Sequence, residues 1–361
     1  MNVAFFNSIT TWGGGEKWHF ETSVYFAEKG YNIFFFCTPK GVIAEKLKQF
    51  PKVKIIPIKA SNLSFLNPFK VKRVKQQCLD NKIDTVIINH PGDLKIAGNA
   101  AHKAGVSRII YRRGSAIPIK DKTLNRYIFK NWITDILANS EATKRTIVEK
   151  NAQLFPLKDI KVIYNHIDIA KFSSIETKRD DQFDEDTLII GNLGRLAPQK
   201  NQHFLIDLSK QLTELNIKHK ILIGGIGELE EELKAYSNAQ GTQDTVLFEG
   251  FQEDIQAFLS RIDIFFLSSL WEGFGYVLAE AALCKKPIIA FNLSSNPELV
   301  IDNQSGYLID KNSIEQAVEK ILLLKDKDLR QKFGEYGYNH CSKTFERNHI
   351  LNQLEQYIFL K

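Results

Sequence analysis

Short apolar runs alternate with longer amphipathic stretches along most of this 361-residue chain. The runs are rich in Val, Ile and Phe, which is typical of strands that are buried on both faces. They lie at 2–7, 32–37, 53–58, 85–89, 108–111 and 135–138 in the first half, and at 188–192, 220–223, 246–248, 263–267, 287–290 and 306–309 in the second. Helical patterns separate the runs, so the sequence predicts an α/β protein with two mostly parallel, doubly wound, Rossmann-like sheets.

The chain is too long for a single hydrophobic core of ordinary size, and two domains are expected. A polar stretch without periodicity, residues 168–186, separates the two series of runs and indicates the connection between them. We therefore predict an N-terminal domain over 1–167 and a C-terminal domain over 168–342. The last segment, 343–361, has the apolar spacing of an amphipathic helix.

The segment 268–280 carries the clearest chemical signal. An apolar run ends there, a turn with Gly273 and Gly275 follows, and an Ala- and Leu-rich helical stretch comes next. The end of a strand then meets the start of a helix, whose free backbone N–H groups favour an anion such as phosphate. Glu272 and Glu280 flank this place, and carboxylates accept hydrogen bonds from hydroxyl groups. An anion site beside two carboxylates suits a nucleotide-sugar. A buried turn followed by surface glutamates would explain the same residues without a ligand.

A second candidate phosphate site lies at the start of the second series of strands. Gly194 and Arg195 follow the run at 188–192, and Lys200 comes five residues after the arginine. Arginine can hold a phosphate through two N–H groups, and lysine adds a point charge that stabilises a departing nucleoside diphosphate. A basic loop ahead of a helix, without a ligand, is the plainer alternative. The glycine turn 224–227 follows the next strand and suits backbone contact with a base or ribose.

Three consecutive glycines, Gly13, Gly14 and Gly15, lie between the first predicted strand and its helix. Glycine lets the backbone approach a ligand closely or adopt positive φ. The spacing is not the G-x-G-x-x-G fingerprint of dinucleotide-binding proteins, and no cofactor is predicted. A flexible turn between strand and helix explains the same residues without a ligand.

Charge is unevenly divided along the chain. Residues 1–166 contain 27 Lys and Arg against 12 Asp and Glu, a net charge of +15, whereas the remainder carries −9 and the whole +6. A basic half suggests an anionic partner such as an acidic membrane surface, a phosphorylated lipid or a nucleic acid. Nucleic acid is the weakest of these because no recognition motif accompanies the charge. A solvated basic face without a partner is the alternative.

One basic segment combines its charge with apolar residues. Within 61–75, the residues Phe65, Leu66, Pro68 and Phe69 precede Lys70, Lys72, Arg73 and Lys75. Aromatic residues beside a basic helix suit the interface of an acidic membrane. The commoner arrangement, a surface helix whose apolar residues face the core, accounts for the same pattern.

No targeting signal is predicted from the sequence. No apolar run approaches 18 residues, so no membrane-spanning helix is predicted. The N-terminus looks like a first strand rather than a signal peptide. Four widely spaced cysteines without metal-ligand spacing indicate reduced thiols. A cytoplasmic protein is expected, with peripheral attachment to the inner face of the plasma membrane if the basic half binds lipid.

Four motifs in order make the chain similar to a known family, the retaining GT-B-fold glycosyltransferases of family 4, also called glycosyl transferases group 1. The motifs are the glycine loop that ends in Glu16-Lys17, the junction 161–168, the segment from Gly194-Arg195 to Lys200-Asn201, and Glu272 with Glu280 after seven intervening residues. His166 stands where the junction of the family usually has glycine. The resemblance covers nearly the whole chain and implies two Rossmann-like domains that face each other across a cleft. It also implies that the final helix packs back on the first domain.

The resemblance implies a role for each motif. Arg195 and Lys200 would bind the pyrophosphate of a nucleotide-sugar, Glu280 the ribose hydroxyls, and Glu272 the transferred sugar. With these roles, the predicted catalytic residues are Arg195, Lys200 and Glu272, and the predicted substrate contacts are Gly14, Gly15, His90, Arg113, Gly194, Phe274, Gly275, Tyr276 and Glu280. Family members typically need no metal, so no metal site is predicted.

One departure from the family concerns the group near the reacting sugar. Many members have a histidine at the end of the strand equivalent to 108–113, where this chain has Arg112 and Arg113. Arg113 stays protonated and cannot act as a base, although it could hold an acidic sugar or an acceptor phosphate. His90 is another polar group at the expected cleft edge, and a loop histidine without a role is its alternative. We therefore expect donor-phosphate assistance and electrostatic stabilisation rather than a protein nucleophile.

The sequence thus predicts transfer of a hexose-type sugar from a nucleoside-diphosphate sugar to a hydroxyl of a glycan or lipid-linked acceptor, with retention. Bacterial surface polysaccharide or lipopolysaccharide synthesis is the expected setting. A nucleotide-sugar epimerase or a phosphorylase of the same plan is one alternative. A catalytically silent sugar-binding module is another, and the intact Arg195, Lys200, Glu272 and Glu280 argue against it.

Overall fold

The computed structural model describes residues 1–172 and 182–360. The chain divides into two compact units: unit 1 consists of Met1–Asn165 with His349–Lys361, and unit 2 of His166–Asn348. Each unit is built on an open parallel sheet with helices packed on its faces. The predicted α/β fold with two doubly wound sheets is therefore confirmed.

All strands except β7 follow the predicted apolar runs, with small shifts at their ends. They are β1 Asn2–Asn7, β2 Asn32–Cys37, β3 Val53–Pro57, β4 Thr85–Ile88, β5 Arg108–Arg113, β6 Asp135–Ala138 and β7 Ile160–Val162 in unit 1, and β8 Leu188–Leu193, β9 His219–Gly224, β10 Val246–Phe248, β11 Ile264–Leu267, β12 Ile288–Phe291 and β13 Gly306–Ile309 in unit 2. The order is β3-β2-β1-β4-β5-β6-β7 in the first sheet and β10-β9-β8-β11-β12-β13 in the second. The winding therefore reverses between β1 and β4 and again between β8 and β11.

Helices connect almost all of these strands. They are α1 Gly14–Glu28, α2 Val42–Leu47, α3 Pro68–Asp80, α4 Pro91–Ala104, α5 Thr123–Asn131, α6 Glu141–Val148, α7 Gln202–Glu214, α8 Glu230–Gln240, α9 Ile255–Arg261, α10 Tyr276–Leu283, α11 Asn296–Leu299, α12 Ile314–Leu323, α13 Lys327–Thr344 and α14 Arg347–Phe359. Short 3-10 turns occur at Ser64–Leu66, Leu157–Asp159 and Ile169–Phe172.

Alternation along β1 and β2 divides the core of unit 1 between the two faces of its sheet. Phe5 stacks on Phe35 and Phe6 on Phe36, with ring centroids 5.9 and 5.4 Å apart, because the two strands pair in register. Successive side chains of a strand point to opposite faces, so the two pairs lie in different layers. The Phe5 layer packs against α1, α2 and α14, and the Phe6 layer packs against α3, α4 and α5.

The end of the chain differs from the single helix predicted over 343–361. Helix α13 runs to Thr344 and α14 begins only at Arg347. The break comes where Phe345 turns into the core of unit 2 and its ring packs 5.2 Å from that of Phe274. The apolar face of α14 then packs in the core of unit 1, on the side of the sheet that carries α1.

The predicted connection at 168–186 is only partly described. The 3-10 turn Ile169–Phe172 is its first part, and residues 173–181 lie outside the described residues. Just before it, the backbone N–H of Ile167 donates to the carbonyl of Phe345 at 2.9 Å. The outgoing and returning passages of the chain therefore run side by side within unit 2.

Strand β11 lies at the centre of the sheet of unit 2. None of its four side chains is accessible to solvent, as its continuous apolar run predicts for a strand covered on both faces. It pairs with β8 on one side and β12 on the other. The carboxyl ends of β8 and β11 therefore lie next to each other at the point where the winding reverses.

Candidate functional site

Two loops meet at the carboxyl ends of β8 and β11 in unit 2. One loop, 194–201, leads from β8 to α7, and the other, 268–275, leads from β11 to α10. Adjacent strands whose connections run to opposite sides of a parallel sheet leave a crevice at their carboxyl ends, and ligands of this fold class bind there. The topology therefore brings together the two segments in which the sequence places its phosphate and hydroxyl ligands.

A lysine and a glutamate from the two loops form an ion pair. Lys200 Nζ lies 2.5 Å from Glu272 Oε1, and the two side chains are only 18% and 9% exposed. A charge-assisted hydrogen bond of this kind is stronger than one between neutral groups, and the low exposure limits its screening by water. The pair holds both functional groups in place before any ligand arrives.

Gln199 joins the two loops through hydrogen bonds of both its backbone and its side chain. Its carbonyl oxygen accepts from the backbone N–H of Leu270 at 2.8 Å, and its Nε2 donates to the carbonyl of Trp271 at 2.7 Å. Beside it, Ser268 Oγ donates to the carbonyl of Lys200 at 2.8 Å. The sequence does not predict these hydrogen bonds, because a glutamine between a proline and a lysine indicates no particular contact.

Arg195 differs from Lys200 in its surroundings. Its side chain is exposed, while its carbonyl accepts from Nε2 of the buried Gln202 at 3.2 Å. Gly194 lies against the other cation, since a Cβ added to it would come within 3.2 Å of the Lys200 side chain. The loop thus presents one solvent-facing guanidinium and one ammonium that is already paired.

The glycine turn 224–227 packs against the loop that carries Arg195. A Cβ on Gly225 would lie 1.9 Å from the carbonyl oxygen of Gly194, and one on Gly227 would lie 2.2 Å from that of Leu196. Backbone hydrogen bonds of 3.0 Å from Gly194 to Gly224 and from Leu196 to Ile226 close the contact. These glycines are thus required for packing between two loops, a reason that the sequence interpretation did not consider.

The acidic loop continues directly into α10. Gly275 precedes the helix with a φ of +80°, a left-handed conformation that favours glycine. Glu280 lies on α10 and is buried. The Phe274 ring is also buried, against Phe345 and 5.4 Å from the ring of Tyr276, so the side chain of Phe274 belongs to the core. Any contact of Phe274 with a ligand is therefore made through its backbone, as the resemblance implies.

The predicted residues of unit 1 have local structural roles. Gly13 precedes α1, which begins with Gly14 and Gly15. Exposed His90 precedes α4, where its Nδ1 accepts from the backbone N–H of Gly92 at 3.1 Å and caps the helix. This hydrogen bond occupies one ring nitrogen of His90 and fixes the ring against the helix.

Arg113 turns away from the glycine loop. It is buried and donates to the hydroxyl of Tyr111 at 3.0 Å and to the carbonyl of Ile117 at 2.6 Å. Tyr111 belongs to the core layer that packs against α3, α4 and α5. Since positions 111 and 113 of a strand share a face, Arg113 braces the loop after β5 on that side.

Arg112 faces the opposite side and lies next to the glycine loop. Its guanidinium is 1% exposed and donates to Asn89 Oδ1 at 2.8 Å and to Asn165 Oδ1 at 2.6 Å. It also lies 4.6 Å from the centre of the Trp18 ring. A Cβ on Gly15 would lie only 2.4 Å from Nδ2 of Asn89. Arg112 is therefore the arginine that supports the glycine loop, and strand alternation past Tyr111 would have indicated it.

His19 lies buried in α1 beside this group. Its ring contacts those of Phe5, Trp18 and Phe35, and neither ring nitrogen has a hydrogen-bond partner among the described residues. Burial, followed by the positive charge of Arg112, lowers the pKa of His19 well below its usual value. The imidazole is therefore neutral at physiological pH.

The cysteines and the potential metal ligands of the described residues are the other groups that bear on the chemistry of the chain. Burial raises the pKa of each cysteine thiol to about 12, and all four cysteines are free. Across residues 1–172 and 182–360, no cluster of three or more His, Cys, Asp or Glu is placed to hold a metal ion. Within the same ranges, no helix has the length and apolar composition needed to cross a bilayer.

Two successive doubly wound sheets are typical of the GT-B fold. Residues 12–171 match the family model described as Glycosyltransferase Family 4, and residues 173–340 match the model described as Glycosyl transferases group 1. Together the two matches take in nearly the whole chain, which belongs to this family of glycosyltransferases.

Two curated relatives match over most of their length. The chain is 26% identical over 335 residues to the Escherichia coli UDP-Gal:alpha-D-GlcNAc-diphosphoundecaprenol alpha-1,3-galactosyltransferase, with 86% of each chain covered. It is 25% identical over 311 residues to the Campylobacter jejuni N-acetylgalactosamine-N,N'-diacetylbacillosaminyl-diphospho-undecaprenol 4-alpha-N-acetylgalactosaminyltransferase, with 82% of each covered.

Solved structures share the fold along the entire chain. Anabaena HepE in complex with UDP-glucose superposes with a TM-score of 0.84 at 21% identity and with complete coverage of both chains. The lipopolysaccharide outer core galactosyltransferase WaaB, in its apo form, gives a TM-score of 0.80 at 22% identity and covers 100% of this chain and 99% of its own.

Proposed function

We propose that this chain is a retaining glycosyltransferase that moves a hexose-type sugar from a nucleoside-diphosphate sugar to a hydroxyl of a glycan or lipid-linked acceptor. The observation that carries the proposal is the ion pair between Lys200 and Glu272, with Arg195 on the same loop, at the carboxyl ends of β8 and β11. Two cations and an acid at this place match a ligand that has both phosphates and hydroxyls.

In the proposed site, Arg195 and Lys200 bind the diphosphate of the donor. Lys200 exchanges Glu272 for a phosphate oxygen, and both cations then offset the negative charge that grows on the leaving group. Glu272, released from the lysine, accepts hydrogen bonds from hydroxyls of the transferred sugar. Glu280 accepts from the ribose hydroxyls, and the backbone N–H groups of 274–276 contribute at the start of α10.

The reaction breaks the bond between the anomeric carbon and the oxygen of the diphosphate and forms a bond from that carbon to the acceptor oxygen. The proton of the acceptor hydroxyl passes to the departing phosphate oxygen, so no side chain has to act as a base. Retention follows when the acceptor approaches from the face that the diphosphate leaves. Arg113 is buried, donates hydrogen bonds to Tyr111 and Ile117 and stays protonated, so it cannot act as a base, which supports a route of this kind.

We further propose that the reaction needs no metal ion. In metal-dependent transferases the cation neutralises the diphosphate, and Arg195 and Lys200 would supply that charge here. Uridine diphosphate is the proposed nucleotide, since the Escherichia coli relative is named for UDP-Gal and the Anabaena structure contains UDP-glucose.

The proposed acceptor is a lipid-linked saccharide of a bacterial polysaccharide or lipopolysaccharide pathway. Both curated relatives are named for saccharides on diphospho-undecaprenol. A lipid diphosphate is anionic and stays at a membrane, which fits the net charge of +15 on residues 1–166. We therefore propose that unit 1 recognises the acceptor and that the enzyme works peripherally on an acidic membrane surface.

A transfer assay with soluble acceptors tests the proposal. The full chain is incubated with EDTA, a panel of UDP-hexoses and a saccharide diphosphate on a short alkyl chain, and the product linkage is determined by NMR. We expect UDP release that depends on the acceptor and an α-linked product from an α-linked donor. An inverted linkage or loss of turnover in EDTA would refute the mechanism. Acceptor-independent conversion of the donor would indicate an epimerase, and no turnover with any donor would favour the silent module.

A further inference from the structure

Three large apolar side chains project into solvent at one end of α3 in unit 1. Leu63 is 68% exposed, Leu66 66% and Phe69 81%. They lie within seven consecutive residues: Leu63 precedes the 3-10 turn Ser64–Leu66, Leu66 ends it, and Phe69 lies in the first turn of α3. We call these three residues the apolar tip. The sequence interpretation in which the apolar residues of this segment face the core is wrong for Leu66 and Phe69.

The backbone of the apolar tip is held by hydrogen bonds within the segment itself. Leu66 N donates to the carbonyl of Leu63 at 3.0 Å, and Asn67 Oδ1 accepts from the backbone N–H groups of Phe69 and Lys70 at 3.0 and 3.1 Å. Pro68 at the start of α3 has no N–H to satisfy. A segment with its polar groups already paired can enter a less polar medium at a lower cost than an open loop.

The apolar tip is also anchored to the body of unit 1. Between Leu63 and Leu66, the ring of Phe65 packs against the core layer under α3 and α4. Lys95 of α4 lies 5.4 Å from the centre of that ring and donates to Asn62 Oδ1 at 2.9 Å. The exposed leucines and Phe69 are therefore presented by a rigid support, and their exposure does not come from a loose loop.

Basic residues surround the apolar tip in sequence. Between Glu45 and Asp80 there is no acidic residue. The same interval contains Lys46, Lys48, Lys52, Lys54, Lys59, Lys70, Lys72, Arg73 and Lys75. On α3 itself, Lys70, Lys72 and Arg73 are exposed. An apolar projection whose neighbours in sequence include basic residues and no acidic ones complements the surface of a bilayer that contains anionic lipids.

We infer that the apolar tip inserts into the interfacial region of an anionic membrane while the lysines and arginine of α3 contact its headgroups. This inference rests on the proposed function, because the inserted tip would hold unit 1 at the membrane that presents a lipid-linked acceptor. A second copy of the chain fits less well, because pairing two tips would bring two clusters of like charge together. Nucleic acid would use the cations but gives no reason for exposed leucines.

Vesicle sedimentation of the full chain, without donor or acceptor, tests the inference. The vesicles contain phosphatidylcholine alone or phosphatidylcholine mixed with phosphatidylglycerol. We expect binding to the mixed vesicles only, weaker at high salt. Phe69→Ser should weaken binding about tenfold, as expected for removing one apolar anchor. Lys72→Gln with Arg73→Gln should weaken it about 25-fold, since each basic residue near an acidic surface contributes roughly a factor of five.

Matched changes in unit 2 provide the controls. Leu215→Ser removes a half-exposed leucine at the end of α7, and Lys311→Gln with Lys332→Gln removes two exposed lysines. Both control variants should leave vesicle binding unchanged. The rate of sugar transfer to a soluble acceptor, measured separately, should be the same in every variant. The transfer rate tests the proposed function and sedimentation tests the membrane contact, so either can fail without the other.

Several outcomes would overturn the inference. Absence of sedimentation with mixed vesicles would do so, and so would equal binding by the Phe69→Ser variant and the parent chain. A dimer in solution that Phe69→Ser dissociates would assign the apolar tip to contact between copies. A further such outcome is that the chain binds single-stranded RNA as strongly as vesicles, with no change in the Phe69→Ser variant. That result would show that the surface binds polyanions through its basic residues alone.

Discussion

The Nζ of Lys200 lies 2.5 Å from Oε1 of Glu272, across two loops that are 72 residues apart in sequence. Each residue alone belongs to a short motif that many unrelated proteins contain by chance. Their contact at the carboxyl ends of β8 and β11 joins a phosphate ligand to a hydroxyl ligand. The pair also means that donor binding has to separate the lysine from the glutamate.

Arg195→Ala and Lys200→Ala should have similar effects on turnover and different effects on stability. Each removes one cation from the charge on the leaving diphosphate, and kcat should fall about 100-fold in both. Lys200→Ala also leaves the mostly buried Glu272 unpaired and should destabilise the chain by about 3 kcal/mol, whereas exposed Arg195→Ala should cost less than about 0.5 kcal/mol. Steady-state kinetics and thermal unfolding measure the two effects. Near-normal kcat in both variants would remove these residues from the site.

Gln199→Ala should lower activity through the position of the loops. It removes the hydrogen bond to the carbonyl of Trp271 and leaves the backbone bond with Leu270 in place. We expect a fall in kcat/KM of about tenfold with a loss of stability of about 1 kcal/mol, the usual value of one hydrogen bond. Gln331→Ala, at an exposed position of α13, is the matched control. If the Gln199 variant has the same kcat/KM as this control, the side-chain hydrogen bond of Gln199 does not position the site.

Arg112→Leu should destabilise unit 1 strongly. The change leaves the side-chain oxygens of half-buried Asn89 and buried Asn165 without this donor, and two hydrogen bonds to a charged group are worth about 3 kcal/mol or more. Chemical denaturation followed by tryptophan fluorescence reports on it, since Trp12, Trp18 and Trp132 lie in unit 1. Arg145→Leu on the exposed side of α6 should cost less than about 0.5 kcal/mol. Equal losses in the two variants would contradict the assigned role of Arg112.

His19 should make unit 1 less stable in acid. Its pKa in the folded chain lies well below the ordinary value of 6.5, so only the unfolded chain takes up a proton as the pH falls below 6.5. Its contribution is thus complete above pH 6.5 and is lost as the pH falls toward the folded pKa.

The variant His19→Leu removes this dependence. Between pH 7.5 and 5.5 the parent chain should lose about 1.4 kcal/mol more stability than His19→Leu, the value of one proton over one pH unit. The exposed His102→Leu on α4 should keep the slope of the parent chain. Parallel slopes for the parent and His19→Leu would show that His19 is protonated in the folded chain.

Much of the fold follows from the apolar pattern alone. Strands such as β2 and β13 have the predicted bounds, because a run buried on both faces of a parallel sheet is apolar from end to end. Strand β7 is not among the predicted runs, because its three residues, with a lysine between two apolar side chains, are too few to form a recognisable run. The break after Thr344 is not predicted either, since Phe345 continues the apolar spacing and only its packing on Phe274 shows that it belongs to unit 2.

Less of the candidate site than of the fold can be predicted from the sequence. The motifs identify Arg195, Lys200 and Glu272, but the pairing of the last two depends on which strands are neighbours. In unit 1 the motif comparison selects Arg113, whereas Arg112 supports the glycine loop. The two arginines are adjacent in sequence and identical in chemistry, and only the direction of each side chain from β5 separates them.

The most direct test of the central claim is calorimetric titration of UDP into the metal-free chain. We predict binding in the presence of EDTA, loss of at least tenfold in affinity for Arg195→Ala, and parent-like affinity for Lys311→Ala, an exposed lysine elsewhere in unit 2. No binding of UDP or of any other nucleoside diphosphate, or equal affinity in the Arg195 variant, would contradict the claim that the loops after β8 and β11 form the donor site.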